Sequence, residues 1–223
     1  MCFTETKSYV NVILLVIGGI FAFPYWRLSM PMFFLACKDL LQGLLYRYIE
    51  NKKINNTLTK LSWIHICFQP LFVNIFSSNF SRQNIVYWNV IFVLCALYGL
   101  HSITNLSDYD IQNNEDCATS NKKNDYCSNN TLSYIGKHHV GYRFSTDKSD
   151  TLIYMYMYII FTFLPSLLTS SRVMGIIWAI FVIIIQTVGN YLKLGSGETS
   201  AIWCFTSVFY ALPIAVIYKL TNS

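Results

Sequence analysis

The sequence predicts an all-α protein: a polytopic membrane helix bundle of about seven transmembrane helices, with one long polar loop between the fourth and the fifth. Hydrophobic residues make up 54% of the 223 residues and charged residues only 12%, about half the roughly 25% found in soluble domains. The charges lie in short clusters between apolar runs, each close to the ~20 residues that a helix needs to cross a membrane. This composition argues against a disordered chain and against an ordinary soluble globule.

Seven apolar runs are the predicted spans. They are continuous and do not alternate, which favours helices over barrel strands. Polar residues interrupt the second, third and fourth runs, so six spans with a re-entrant second run is an alternative. The first run is interpreted as a retained helix, because bulky residues stand where signal cleavage needs small ones. The predicted spans are residues 9–26, 28–46, 61–80, 84–103, 151–169, 173–192 and 201–218.

The predicted polar loop, residues 104–150, is longer than a simple connection between helices. Within it, residues 134–144 mix aromatic, glycine and basic residues, which indicates a short hairpin or a plug over the helices. Cys117 and Cys127 lie ten residues apart and predict a disulfide in an oxidising compartment, the alternative being two unpaired thiols. The disulfide would place this loop outside the cell. The excess of Lys and Arg on the N-terminal side, which also holds the loop, instead predicts a cytoplasmic location.

Polar residues inside the apolar runs are the candidate binding site, because a charge at membrane depth costs at least ~2.5 kcal/mol. Lys38 and Asp39 are the charges deepest within a run, and Asp39 shares a helix face with Gln42. In the third run, Pro70 follows a histidine and a glutamine and opens the helix. The predicted polar intramembrane pocket consists of Asp39, Gln42, His65, Gln69, Asn74, His139 and Glu198.

Two of these residues have alternative interpretations, and three suggest a metal. His65 could be a structural histidine bonded to a neighbouring helix, and Glu198 could interact with the dipole of the last helix. His65, His139 and Glu198 also provide the nitrogen and oxygen ligands that Zn²⁺ accepts, with a fourth position for water. Zinc is therefore a hypothesis, although the sequence lacks the paired-ligand spacing of a typical zinc site.

Several short motifs stand out along the chain. They are Met1-Cys2-Phe3-Thr4 and residues 39–42, 63–70 (with the His and Gln-Pro of the third helix), 136–139 and 198–204. Together they resemble an uncharacterised family of multi-pass membrane proteins with bacterial and giant-viral members. Thr4 stands where serine is usual, and Asp39 stands where a glutamate is expected, so the reach of that carboxylate differs. The resemblance implies the multi-pass topology and marks these positions, but it implies no reaction.

Three classes of function follow. The first is a small-solute or ion transporter with a polar site near the membrane midplane. The alternative is an intramembrane metal-dependent hydrolase that acts on a lipid, and the third is a sensor or receptor. The expected partner is the lipid bilayer. Nucleic acid is not expected, because the net charge of +5 is spread over helix ends and does not form one basic face.

Overall fold

A computed structural model describes residues 4–104, 106, 127–145, 148–168, 172–194, 198–199, 202 and 208–222. Its described part is mostly helical, which confirms the helical class, and it also contains one two-stranded sheet. The helices are α1 (Glu5–Phe21), α2 (Trp26–Arg47), α3 (Lys52–Ser77), α4 (Ile85–Ile103), α5 (Lys148–Leu167), α6 (Arg172–Tyr191) and α7 (Val208–Asn222); the strands are β1 (Cys127–Ile135) and β2 (Val140–Ser145).

Local sequence explains where several helices begin. The side-chain oxygens of Thr4, Asn51 and Asn84 accept hydrogen bonds from backbone N–H groups in the first turns of α1, α3 and α4. Such caps satisfy donors that have no partner within the helix. The cap at Asn51 starts α3 nine residues before the predicted third span, so α3 has a polar first half that extends beyond the apolar run.

The end of α6 is a Schellman motif. The N–H of Leu194 donates to the Gly189 carbonyl at 2.9 Å, and the N–H of Lys193 donates to the Asn190 carbonyl at 3.1 Å. Lys193 has φ 54°, the left-handed conformation that this motif usually gives to glycine.

Two described helices, α2 and α4, are long and apolar enough to cross a membrane. Shorter apolar stretches occur in the last three helices, at Tyr156–Leu167, Ala179–Tyr191 and Ala211–Leu220. Length and hydropathy of the described residues therefore support two spans, fewer than the predicted seven.

Helices α1 and α2 pack antiparallel and closely. Tyr9 contacts Gly43, and Phe33 contacts Gly19; at both glycines a Cβ atom would overlap the ring. At the far end of α1, the Lys219 ammonium of α7 donates to the Phe21 carbonyl at 2.5 Å. The C-terminal ends of α1 and α7 therefore lie at the same end of the bundle.

The interior of the bundle is part polar and part apolar, and rows of large apolar side chains lie on its outer surface. Among the described residues, as many polar as apolar side chains are buried. Large apolar side chains instead form outward-facing rows on α1, α4 and α6: Val10, Ile13, Ile17 and Ile20; Val86, Val90, Val93, Leu97 and Leu100; and Ile176, Ile180, Ile183 and Ile184.

The two strands form an antiparallel hairpin, which confirms the prediction for residues 134–144. Val140, Tyr142 and Phe144 alternate along β2 and are buried, as one face of a strand requires. They pack against the C-terminal end of α2 and against α3, where the Trp63 and Phe144 rings lie 4.7 Å apart. The hairpin thus covers one end of the helices.

Candidate functional site

Polar side chains on α2 meet the hairpin in one row. Lys38, Gln42 and Tyr46 follow one another at four-residue spacing, which places them on one helix face. The Lys38 ammonium donates to the Tyr142 hydroxyl at 2.6 Å and lies 4.0 Å from the centre of its ring. The Gln42 amide donates to the same hydroxyl at 3.1 Å. Tyr142 thus binds two polar groups that are completely buried.

The next residue in the row binds the tip of the hairpin. The Tyr46 hydroxyl accepts the Val140 N–H at 2.9 Å and lies 3.3 Å from Nδ1 of His139. Burial lowers the pKa of His139 to about 3, and the charge of Lys38 contributes. His139 is therefore neutral at pH 7, and its Nδ1 can accept a hydrogen bond from the Tyr46 hydroxyl.

The hairpin tip also encloses a carboxylate. Glu198 accepts the backbone N–H groups of Lys137, His138 and His139 at 3.1, 2.5 and 2.8 Å. The carboxylate occupies the space that a Cβ atom on Gly136 would fill. Three successive N–H groups that converge on one anion form a backbone nest. Glu198 therefore connects the chain between α6 and α7 to the hairpin.

Polar residues in the first half of α3 form hydrogen bonds with strand β1. The Asn55 side chain donates to the Ser133 carbonyl and accepts the Ser133 N–H, at 2.9 and 2.8 Å, as a neighbouring strand would. Thr59 shares a 2.7 Å hydrogen bond with the Ser133 hydroxyl, and Asn56 donates to the Thr131 carbonyl at 2.8 Å. These bonds explain why α3 extends beyond the apolar run.

Deeper in the bundle, His65 connects α3 to α2. Its Nε2 lies 2.7 Å from the Phe34 carbonyl oxygen, and its ring stacks on the Phe34 ring at 3.7 Å. One turn further along α3, Gln69 accepts the Tyr158 hydroxyl of α5 at 2.9 Å. The contacts of His65 are those expected of a structural histidine.

Asn74 joins α3 to α5 at a carbonyl that a proline leaves free. Pro165 has no N–H to donate to the carbonyl of Phe161, four residues earlier. Asn74 instead donates to that carbonyl at 2.7 Å, and to the Pro70 carbonyl in its own helix at 2.8 Å. These contacts between helices therefore account for the burial of the polar Asn74 side chain.

Asp39 lies apart from the hairpin, on the side of α2 that contacts α1. Its side chain is 1% exposed. Its neighbours are the Asn11 side chain of α1, which is within reach of a hydrogen bond to the carboxylate, and Lys38, whose charge acts on it.

The structure thus divides the predicted pocket. Gln42, His139 and Glu198 lie at the hairpin, whereas Asp39 faces α1 and His65, Gln69 and Asn74 lie deeper. The α2 residues that contact His65 and His139 are twelve residues apart, or ~18 Å along the helix. Within the described ranges, no group of three His, Cys, Asp or Glu side chains could hold a metal. The zinc site of His65, His139 and Glu198 stays a hypothesis.

The predicted disulfide cannot be compared with the structure, since Cys117 and the side chain of Cys127 lie outside the described residues. Cys37, Cys67 and Cys95, which are described, are free.

Sequence reasoning missed Tyr46 and Tyr142, and also the α3 residues that bind the hairpin, Asn55, Asn56 and Thr59. The four-residue spacing of Tyr46 from Gln42 could have indicated the first, and the alternating apolar pattern of β2 could have indicated Tyr142. No local signal identifies Asn55, because its partner lies 78 residues away in the chain.

Comparison with known proteins gives one match. No curated protein and no solved structure matches the chain. A family model described as a family of unknown function matches residues 11–221 and thus excludes the Met1-Cys2-Phe3-Thr4 motif. Nearly the whole chain is covered, so it belongs to this family of unknown function, DUF5765.

Proposed function

We propose that the chain is a multi-pass integral membrane protein that transports a small polar solute or ion through the interior of its bundle. Support for the membrane comes from the outward apolar rows of α1, α4 and α6, because soluble monomers rarely expose apolar patches of more than a few hundred Å². Helices α1 and α2 pack antiparallel, and the C-terminal ends of α1 and α7 lie together. Both observations fit seven spans, in which the first and the last helix cross in the same direction.

The observation that carries transport is a row of buried polar residues along α3. They recur at three- or four-residue spacing, so they lie on one side of the helix, and the row runs from the hairpin to the level of Pro70. In a bundle with an apolar exterior, such a row provides the polar lining that a solute requires. The row consists of Asn55, Thr59, Ser62, His65 and Gln69.

The hairpin closes one end of this lining. Tyr142 engages both Lys38 and Gln42, so a solute that reached these side chains from the hairpin end would have to displace it. In this proposal the hairpin is a plug, and the described arrangement is taken as the closed state.

Flux into liposomes tests transport. Purified protein in proteoliposomes is offered glutamine, inorganic phosphate or sodium, and uptake is compared with that of protein-free liposomes. We expect uptake of at least one of them, with a marked loss for Lys38→Met. Lys52→Met, which removes an exposed lysine at the start of α3, is the matched control. Uptake at the protein-free level for all three probes, or equal uptake by Lys38→Met and the wild type, would contradict transport.

Tags at the two termini test the number of spans. Seven spans place the termini on opposite sides of the membrane, so a protease added to sealed vesicles should remove one tag only. Removal or protection of both tags would instead indicate six spans.

The alternative, an intramembrane metal-dependent hydrolase acting on a lipid, is favoured by one contact. Glu198 lies against the loop that carries His139, so two of the three proposed zinc ligands are neighbours. Elemental analysis of the purified protein distinguishes the two proposals: stoichiometric zinc that is lost in His65→Ala favours the hydrolase. Flux without bound zinc would exclude it. A sensor or receptor predicts neither flux nor zinc.

A further inference from the structure

We infer that the end of the bundle opposite the hairpin binds the phosphate group of an anionic phospholipid through Arg27 and Lys219. The inference rests on the membrane location in the proposed function and is independent of transport. The site lies at the turn between α1 and α2, residues 22–25, and we call this end of the bundle the basic end.

Two aromatic contacts and one hydrogen bond define which elements meet at the basic end. The Tyr218 ring of α7 lies 5.6 Å from the Tyr25 ring in the α1–α2 turn, and 5.1 Å from the Phe80 ring just after α3. The Tyr87 hydroxyl, in the first turn of α4, donates to the Pro165 carbonyl near the end of α5 at 3.4 Å. The α1–α2 turn, the connection from α3 to α4, and the C-terminal ends of α5 and α7 therefore all belong to this end.

The charges in the segments of the basic end are all positive. These segments, residues 19–31, 76–90, 162–178 and 212–223, contain no Asp or Glu, so the 11 acidic residues of the chain all lie elsewhere. A surface that carries one sign of charge attracts ions of the opposite sign. At a membrane surface those ions are the phosphate groups of anionic lipids. The basic residues in the segments are Arg27, Arg82, Arg172 and Lys219.

Arg27 presents a guanidinium group beside the turn, in the first turn of α2. The guanidinium lies 5.3 Å from the centre of the Trp26 ring, a cation–π contact that favours one position of the side chain. Its Nε is buried and has no hydrogen-bond partner among the described residues, so no described acceptor of the protein uses this donor. A guanidinium carries its donors in a planar fork that matches the oxygens of a phosphate. Arg27 therefore provides a suitable phosphate ligand.

Lys219 adds a second positive charge at the start of the same turn. Its ammonium donates to the Phe21 carbonyl at 2.5 Å and lies 3.7 Å from the centre of the Phe21 ring. This bond caps the end of α1, but a neutral carbonyl does not compensate the charge, and an ammonium has two further donors. The two cations thus flank the turn, with Lys219 at its beginning and Arg27 at its end.

Exposed apolar and aromatic side chains beside the cations favour a lipid over free phosphate. Phe23 in the turn is 71% exposed and Trp26 is 54% exposed, and tryptophan is enriched at the headgroup level of membranes. Ile20 at the end of α1 and Leu220 next to Lys219 are also exposed. In a bilayer such side chains contact acyl chains. One lipid can therefore place its phosphate at the cations and its acyl chains along the helices.

Binding of individual lipids to the purified full-length protein tests the site. The probes are phosphatidylglycerol and phosphatidylcholine with identical acyl chains, and native mass spectrometry of the protein in detergent counts the bound lipids. Each basic residue near an anionic headgroup improves affinity about fivefold, so phosphatidylglycerol should bind about 30-fold more tightly. Arg27→Gln should lower this preference about fivefold, and Arg27→Gln combined with Lys219→Gln should remove it. The matched control, Lys52→Gln with Lys53→Gln, removes two exposed lysines at the hairpin end and should leave the preference unchanged.

Three results would overturn the site: equal affinity for the two lipids, a preference retained when both Arg27 and Lys219 are replaced, or a preference lost equally in the control. Displacement of bound phosphatidylglycerol by an equal concentration of inorganic phosphate would indicate a site for free phosphate and would also overturn the lipid. Arg27→Gln alone keeps the test valid if Lys219→Gln disturbs the end of α1.

Failure of the proposed function is separable from failure of this site. Headgroup preference without solute flux would refute transport and leave the lipid site, whereas flux without headgroup preference would refute the lipid site and leave transport. Release of the chain from membranes by alkaline carbonate would refute the integral membrane location, which the count of bound lipids in detergent does not measure.

Discussion

Replacement of Glu198 by glutamine should release the tip of the hairpin. The side chain is 3% exposed, and its two carboxylate oxygens accept three backbone N–H groups from residues 137–139. Glutamine has nearly the same shape, but it retains only one acceptor oxygen. Its NH₂ group must therefore face at least one N–H donor.

The magnitude follows from these three bonds. Hydrogen bonds to a charged group contribute about 1.5–3 kcal/mol each, and neutral ones about 0.5–1.5 kcal/mol. Three bonds to the carboxylate therefore total at least about 4.5 kcal/mol, whereas two neutral bonds to glutamine contribute about 1–3 kcal/mol. We expect a loss of about 3 kcal/mol, because the donor that loses its acceptor belongs to the exposed Lys137 and can bind water.

Amide hydrogen exchange measures this loss directly. A decrease of about 3 kcal/mol in the free energy of local opening corresponds to a roughly 150-fold loss of protection at residues 137–139. Glu50→Gln should leave the protection of the same amides unchanged. Equal protection in Glu198→Gln and the wild type would show that the hairpin itself, and not the carboxylate, holds these N–H groups.

Three further predictions concern stability. Burial lowers the pKa of His139 from 6.5 to about 3, so the unfolded chain takes up the extra proton and stability should fall by about 1.4 kcal/mol per pH unit from pH 6.5 towards 3. Denaturation at several pH values should give a slope that is smaller by about 1.4 kcal/mol per pH unit in His139→Gln than in the His101→Gln control. Asn74→Ala should lower the free energy of unfolding by about 2 kcal/mol, because the Phe161 carbonyl loses its donor. In a Pro165→Ala background, residue 165 can donate its own N–H to that carbonyl, so the same substitution should cost less. Equal costs of Asn74→Ala in the two backgrounds would contradict this coupling. Lys193→Gly should raise Tm by about 2–4 °C by removing left-handed strain, whereas Lys193→Ala, which retains Cβ, should not.

Most helices could be predicted from the sequence because their signal is local. An apolar run of membrane length identifies a helix wherever it packs, and the described helices overlap the predicted runs. The boundary of α3 was predicted less well. Its polar first half carries no apolar signal and is helical because Asn51 caps it and because Asn55 and Thr59 bind the hairpin.

The partners of the site residues could not be predicted. Asp39 and Gln42 lie three residues apart and share a broad helix face by spacing. However, packing turns Gln42 towards Tyr142 and Asp39 towards α1. His65 and Asn74 are buried, but their hydrogen bonds are with backbone carbonyls, and a sequence pattern does not identify such partners.

The hairpin connects solute binding to opening in the proposed transport cycle. Tyr142 provides a hydroxyl oxygen to Lys38 and Gln42, so withdrawal of the hairpin removes that acceptor from a buried ammonium. A solute that carries its own oxygen acceptor can replace the hydroxyl, and it then binds the open state better than the closed one. Only such a difference in affinity can shift a conformational equilibrium. The chemistry of Lys38 therefore favours a solute with a carboxylate, phosphate or hydroxyl group over a purely apolar one.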